Sequence, residues 1–139
     1  MELCSAKENF RRYLKRRGYS KHTIASYLLD ISLFFRESEK PINSVTKGDI
    51  DVFMDRCQVM DKKATTINRA LISIKMFYQY LIHIEDQKLT NPVCSHHRVK
   101  VPKRLPKVLK EQEIEMLQSL LKSVRNKALF NLMLRCGLR

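Results

Sequence analysis

Twenty-seven lysines and arginines against 14 acids give this 139-residue chain a net charge of +13, which favours a polyanionic partner: DNA, RNA or an anionic membrane surface. The length suits one ordinary domain, or a small domain plus a fragment. No apolar run approaches the roughly 18 residues of a membrane span, and the opening MELCSAKENF holds no signal-peptide apolar region.

Four scattered cysteines, Cys4, Cys57, Cys94 and Cys136, form no CxxC pair and read as reduced thiols of a cytoplasmic protein. Helix formers dominate, and the few glycines and prolines sit where helices should end, so an all-α fold is expected. The first predicted helix runs from Leu3 to Arg17, with Leu3, Ala6, Phe10, Tyr13 and Leu14 apolar and Gly18 as its stop. Arg11, Arg12, Lys15, Arg16, Arg17 and Lys21 crowd positive charge with no acid among them, beyond what the helix dipole needs. Ser20 should cap a second helix over Lys21–Arg36, whose core positions are Ile24, Tyr27, Leu28, Ile31, Phe34 and Phe35. Its start, with Lys21, His22 and Thr23, suits a phosphate. After a connector with Pro41, Thr46 and Asp49 resemble a capping box opening a third helix.

The central helix is ATTINRALISIKMFYQYLIHI, Ala64 to Ile84. Ile67, Leu71, Ile74, Tyr78 and Leu81 recur at spacings that return to one helical face. Phe77 and Ile82 widen that face, while Thr65, Asn68, Arg69 and Lys75 fall off it. Four helices with short loops predict a bundle over residues 1–86. From 87 to 109 three prolines and like charges predict an extended, solvated linker that can lie along a polyanion. Cys94, His96 and His97 lie in it without a fourth ligand at a recognisable spacing, so no metal site is expected. Over 110–139 two more helices follow, marked by Ile114, Leu117 and Leu121, then by Leu129, Leu132, Met133 and Cys136. They are too short to bury their apolar surface alone, so the chain reads as cut inside a second domain.

Several stretches together resemble the tyrosine recombinases of the phage-integrase and Xer type. They are FRRYLKRRGYSKHTIASYLLDISLFF, VTKGDIDVFM, ATTINRALISIKMFYQYL, NPV, PKRLPKVLKEQEIEML and RNKALFNLMLRCGLR. The resemblance implies a four-helix, SAM-like core-binding domain that grips double-stranded DNA, and a linker leading to an incomplete catalytic domain. It implies DNA strand exchange with no metal or other cofactor and no small-molecule substrate. In that reaction a tyrosine attacks the scissile phosphate, and arginines, a lysine and His-like residues stabilise it. The first family arginine corresponds to Arg139, the last residue, so most of the site has no position here and the chain alone is not expected to cleave DNA. Arg135 and Cys136 stand where small residues are common in the family, and Lys110 where a Ser or Thr cap is common, which suggests relaxed constraint.

The expected DNA contacts are Ser20, Lys21, His22 and Thr23 at the second helix. Thr65, Thr66, Asn68, Arg69 and Lys75 follow on the central one, with Lys62 and Lys63 before it and Lys103 and Arg104 in the linker. Most should meet phosphates, with Asn68 and Arg69 candidates for base edges. Two alternatives remain: a partner or inhibitor of full-length recombinase protomers, or a small basic regulator that binds nucleic acid without recombination.

Overall fold

The computed structural model describes residues 2–102 and 108–137. Those residues form six α-helices and no strand: α1 Leu3–Arg16, α2 Lys21–Ser38, α3 Lys47–Val59, α4 Ala64–His83, α5 Glu111–Leu120 and α6 Val124–Cys136. The expected all-α fold is present, and the limits of α1, α2 and α4 fall within two residues of those read from the sequence. Two single 3₁₀ turns, Ile42–Ser44 and Ser95–His97, interrupt the loops.

The termini of the helices follow from local chemistry. Ser20 Oγ accepts the Thr23 N–H at 3.1 Å, satisfying one free donor of α2. Asp49 accepts from both the N–H and the hydroxyl of Thr46, at 2.8 and 2.9 Å, fixing the start of α3. At the end of α1, Tyr19 N–H reaches Leu14 C=O and Gly18 N–H reaches Lys15 C=O. This Schellman turn needs a left-handed residue, and Gly18 supplies φ +76° without a Cβ clash. The same pair of bonds closes α3, but there Asp61 takes the left-handed position at φ +52°.

The chain divides into two compact units at Pro102. In the first, α4 carries nine buried residues: Ile67, Ala70, Leu71, Ser73, Ile74, Phe77, Tyr78, Tyr80 and Leu81. Its main partner is α2, with α1 packed on both and α3 on α2. Aromatic rings make the junction. Phe77 meets Phe10 of α1 edge-on at 5.4 Å and Phe35 of α2 at 6.1 Å, and Phe34 meets Phe53 of α3 at 5.3 Å. Tyr78 donates its hydroxyl to Ile42 C=O at 2.8 Å, tying the connector to α4.

The stretch after Asp86 departs from the solvated linker expected there. Val93 and His97 are buried, and Leu89 and Val99 lie against the same core. Residues 87–102 therefore belong to the first unit, as an arm laid on α4. Prolines and like charges hid this, because the buried residues are too sparse to show a period.

The second unit holds α5 and α6. Lys110 N–H donates to Glu113 Oε2 at 2.8 Å, and Gly137 ends α6 at φ +61°. Gln118 on α5 donates to Asn131 on α6 at 3.0 Å. Neither helix has a buried residue, and Met116, Leu120, Val124, Leu132 and Met133 are exposed. Helices with no buried core open readily. Amide exchange should therefore be slowest in α4 and faster by orders of magnitude across α5 and α6; equal protection in α5 and α4 would contradict this.

Candidate nucleic-acid interface

The residues singled out in the sequence divide by what holds them. Ser20, Lys21 and His22 are exposed at the start of α2. Ser20 is spent on its cap and lies 2.9 Å from Thr23 Oγ1. The N–H groups of Lys21 and His22 bond no other described residue, so this end offers two donors beside a lysine. Lys63, Thr65 and Lys75 are exposed, while Lys62 and Thr66 are half-buried beside a small cleft between α4 and α2. Lys103, Arg104 and Arg139 lie outside the described residues.

Asn68 and Arg69 are already engaged. Asn68 Nδ2 donates to Val99 C=O at 2.8 Å, and its Oδ1 accepts the Val99 N–H at 2.9 Å. Arg69 grips the Asp30 carboxylate through Nε at 3.1 Å and Nη2 at 3.0 Å. Ser73 Oγ donates to the same carboxylate at 2.9 Å. Asp30 and Ser73 are only 3% and 0% exposed, so the carboxylate depends on these donors in place of water. Asp30 went unnoticed in the sequence because an acid among apolar helix residues looks like a solvent-facing one. Its position three residues after Tyr27 and one before Ile31, on the apolar side of α2, was the available signal.

The cations are largely uncompensated. Among the described residues, only Arg11, Arg12, Lys40 and Arg69 of the lysines and arginines come within 4.0 Å of a carboxylate, and Arg11 and Arg12 share Glu8. Arg98 and Lys100 on the arm are exposed, although neither is among the contacts expected from the sequence. Lys75 and Arg98 border a groove of about 480 Å³ floored by Leu71, Ile72 and Val93.

Cys94, His96 and His97 do come together, with potential ligand atoms within 4.8 Å of one another. His97 Nδ1, however, accepts the Cys94 N–H at 3.0 Å. Its Nε2 lies 3.4 Å from Asp51 Oδ1 on α3 and has no hydrogen-bond partner among the described residues. His97 thus serves as a packed strut between the arm and α3. The tyrosines of α4 are equally committed. Burial pushes the Tyr78 phenol well above its ordinary pKa, and burial followed by the Tyr80–Glu85 hydrogen bond does the same for Tyr80. Burial likewise pushes the Cys57 thiol up, as fits a core residue.

The helical bundle matches a known family. The phage integrase N-terminal SAM-like domain matches residues 8–85. The chain is 31% identical to tyrosine recombinase XerA of Pyrococcus horikoshii over 95% of its own length and 43% of the relative's. It is 31% identical to tyrosine recombinase XerC of Halalkalibacterium halodurans, covering 91% of this chain and 45% of that one. With tyrosine recombinase XerD of Oceanobacillus iheyensis the identity is 30%, over 95% and 48%. The chain belongs to the tyrosine recombinase family and carries its N-terminal domain. It spans less than half the length of these relatives.

Two measurements check the site's construction. Arg69→Ala strands the buried Asp30 carboxylate, whereas Asp30→Ala returns a half-exposed guanidinium to water. Urea unfolding should show a loss of about 3 kcal/mol for the first and less for the second; the reverse order would refute the assignment. For His97, burial is the largest cause of a pKa below the ordinary value; Asp51 opposes it, and His96 and Lys47 add to it. The unfolded chain therefore takes up the proton first. The contribution of His97 to stability is full above roughly pH 6.5 and is lost as pH falls below that toward the folded-state pKa. In His97→Asn, whose Oδ1 can still accept the Cys94 N–H, the unfolding midpoint should fall less between pH 7 and 5 than in the wild type.

Proposed function

We propose that this chain is the DNA-gripping part of a tyrosine recombinase and binds the duplex mainly through its phosphates. The observation that carries this is the set of exposed, uncompensated cations around α2, α4 and the arm, on a fold whose family is that of recombinases. Lys21, Lys63, Lys75, Arg98 and Lys100 supply charge. Thr65 and the N–H groups opening α2 supply neutral donors, and Ser20, His22, Thr23, Lys62 and Thr66 flank them. Such contacts position a protein without reading sequence. Lys103 and Arg104 extend the basic strip in sequence.

The chain by itself does not break DNA. A recombinase needs an accessible tyrosine to attack phosphorus and several cations around the phosphate. Tyr78 and Tyr80 are buried, bonded and hard to ionise, the half-buried Tyr13, Tyr19 and Tyr27 correspond to no family nucleophile, and Arg139 is the one residue that resembles a member of the family's catalytic set. A second reading has a separate motive, the exposed apolar side chains of α5 and α6, which would suit association with full-length recombinase protomers. Co-purification of the two would support it, and a chain that stays monomeric beside the intact enzyme would exclude it.

Fluorescence anisotropy with a mixed-sequence duplex across a salt series tests the main reading. Five phosphate contacts predict a log–log slope of about −4.5. No binding at 50 mM salt would overturn it, and a covalent adduct on a nicked duplex would overturn the claim that the chain does not cleave.

A further inference from the structure

We propose that Asn68 is a positioning residue whose amide fixes the arm so that Arg98 and Lys100 face consecutive phosphates of one DNA strand. This rests on the DNA-binding reading above. The two bonds between Asn68 and Val99 use both backbone groups of one residue, as a neighbouring β-strand would, although the partners are 31 positions apart. Arg98 is extended, at φ −66° and ψ 118°. In extended backbone alternate side chains point to opposite sides. Val99 lies inward against the core, so Arg98 and Lys100 share the outward side, about 6.6 Å apart along the chain.

The remainder of the arm is anchored as well. Asn91 Nδ2 donates to Lys75 C=O at 3.0 Å, its Oδ1 accepts the Val93 N–H at 3.0 Å, and Val93 and His97 are buried. Base readout by an asparagine needs its amide oxygen and nitrogen together, facing one adenine. In Asn68 both atoms are turned to Val99. Its contribution to binding is therefore made through the two cations beside Val99.

The experiment is a double-mutant cycle on the full chain, read by anisotropy with a duplex across a salt series. Asn68→Ala should weaken binding about 5- to 10-fold at 0.1 M salt and reduce the magnitude of the salt slope by about 1. In an Arg98→Ala/Lys100→Ala background the same substitution should change neither quantity. Val99→Pro removes the N–H from the arm's side and leaves α4 untouched, so it should reproduce the Asn68→Ala loss. Full additivity would overturn the proposal, and an altered base preference with an unchanged slope would overturn it and make Asn68 a reader of bases. If the wild type does not bind DNA, the functional reading fails instead. Protection of the Val99 amide from exchange, lost in Asn68→Ala, still reports whether the clamp exists.

Discussion

Phe77 touches Phe10 of α1 and Phe35 of α2, and the burial of α4 that this junction requires constrains the remainder of the first unit. Nine buried positions leave α4 an outward strip of Thr65, Arg69, Ile72, Lys75, Gln79 and His83. Asn68 sits on the margin of that strip and Arg69 within it, where a polar side chain must find a partner or reach water. The neighbouring elements supply partners on both sides: Val99 of the arm for Asn68 and Asp30 of α2 for Arg69. Buried aromatic surface thus decides which polar groups of α4 are left free for a ligand.

That hierarchy explains what could be read in the sequence. Helix limits were legible because apolar spacing, Ser20, Thr46 with Asp49, and Gly18 are local signals, and local bonds realise each of them. The core stripe of α4 was legible for the same reason. Ala70, Ser73 and Tyr80 were not, because a small, a hydroxyl and an amphipathic residue are buried here by neighbours on several sides. The arm was not legible either. Val93 and His97 stand singly among prolines and lysines, and only the surface of α4 and α3 makes them core residues.

At the candidate interface, the sequence showed which residue types were present but not their orientation. Asn68 and Arg69 have the chemistry of base readers, and in the folded chain they are held by Val99 and Asp30. Arg98 and Lys100 looked like two charges among many in a solvated stretch, and the pinning of Val99 sets them apart. Orientation depends on contacts 31 and 39 positions away, which no local window contains.

The pinned arm also bears on how a strongly basic chain can hold a polyanion firmly. A cation on a free segment must lose conformational freedom when it meets a phosphate, and that loss offsets much of the attraction. Here the ordering happens on folding, where Val93, His97 and the two asparagines hold the backbone against α4 and α3. Only the side-chain rotamers of Arg98 and Lys100 remain to be ordered on contact. On the proposed phosphate-binding reading, counterion release would then contribute to affinity with little backbone cost, the spacing of the two charges being set before any ligand arrives. Net charge alone would draw the chain to any polyanion; a fixed spacing of charges favours one with a matching phosphate repeat.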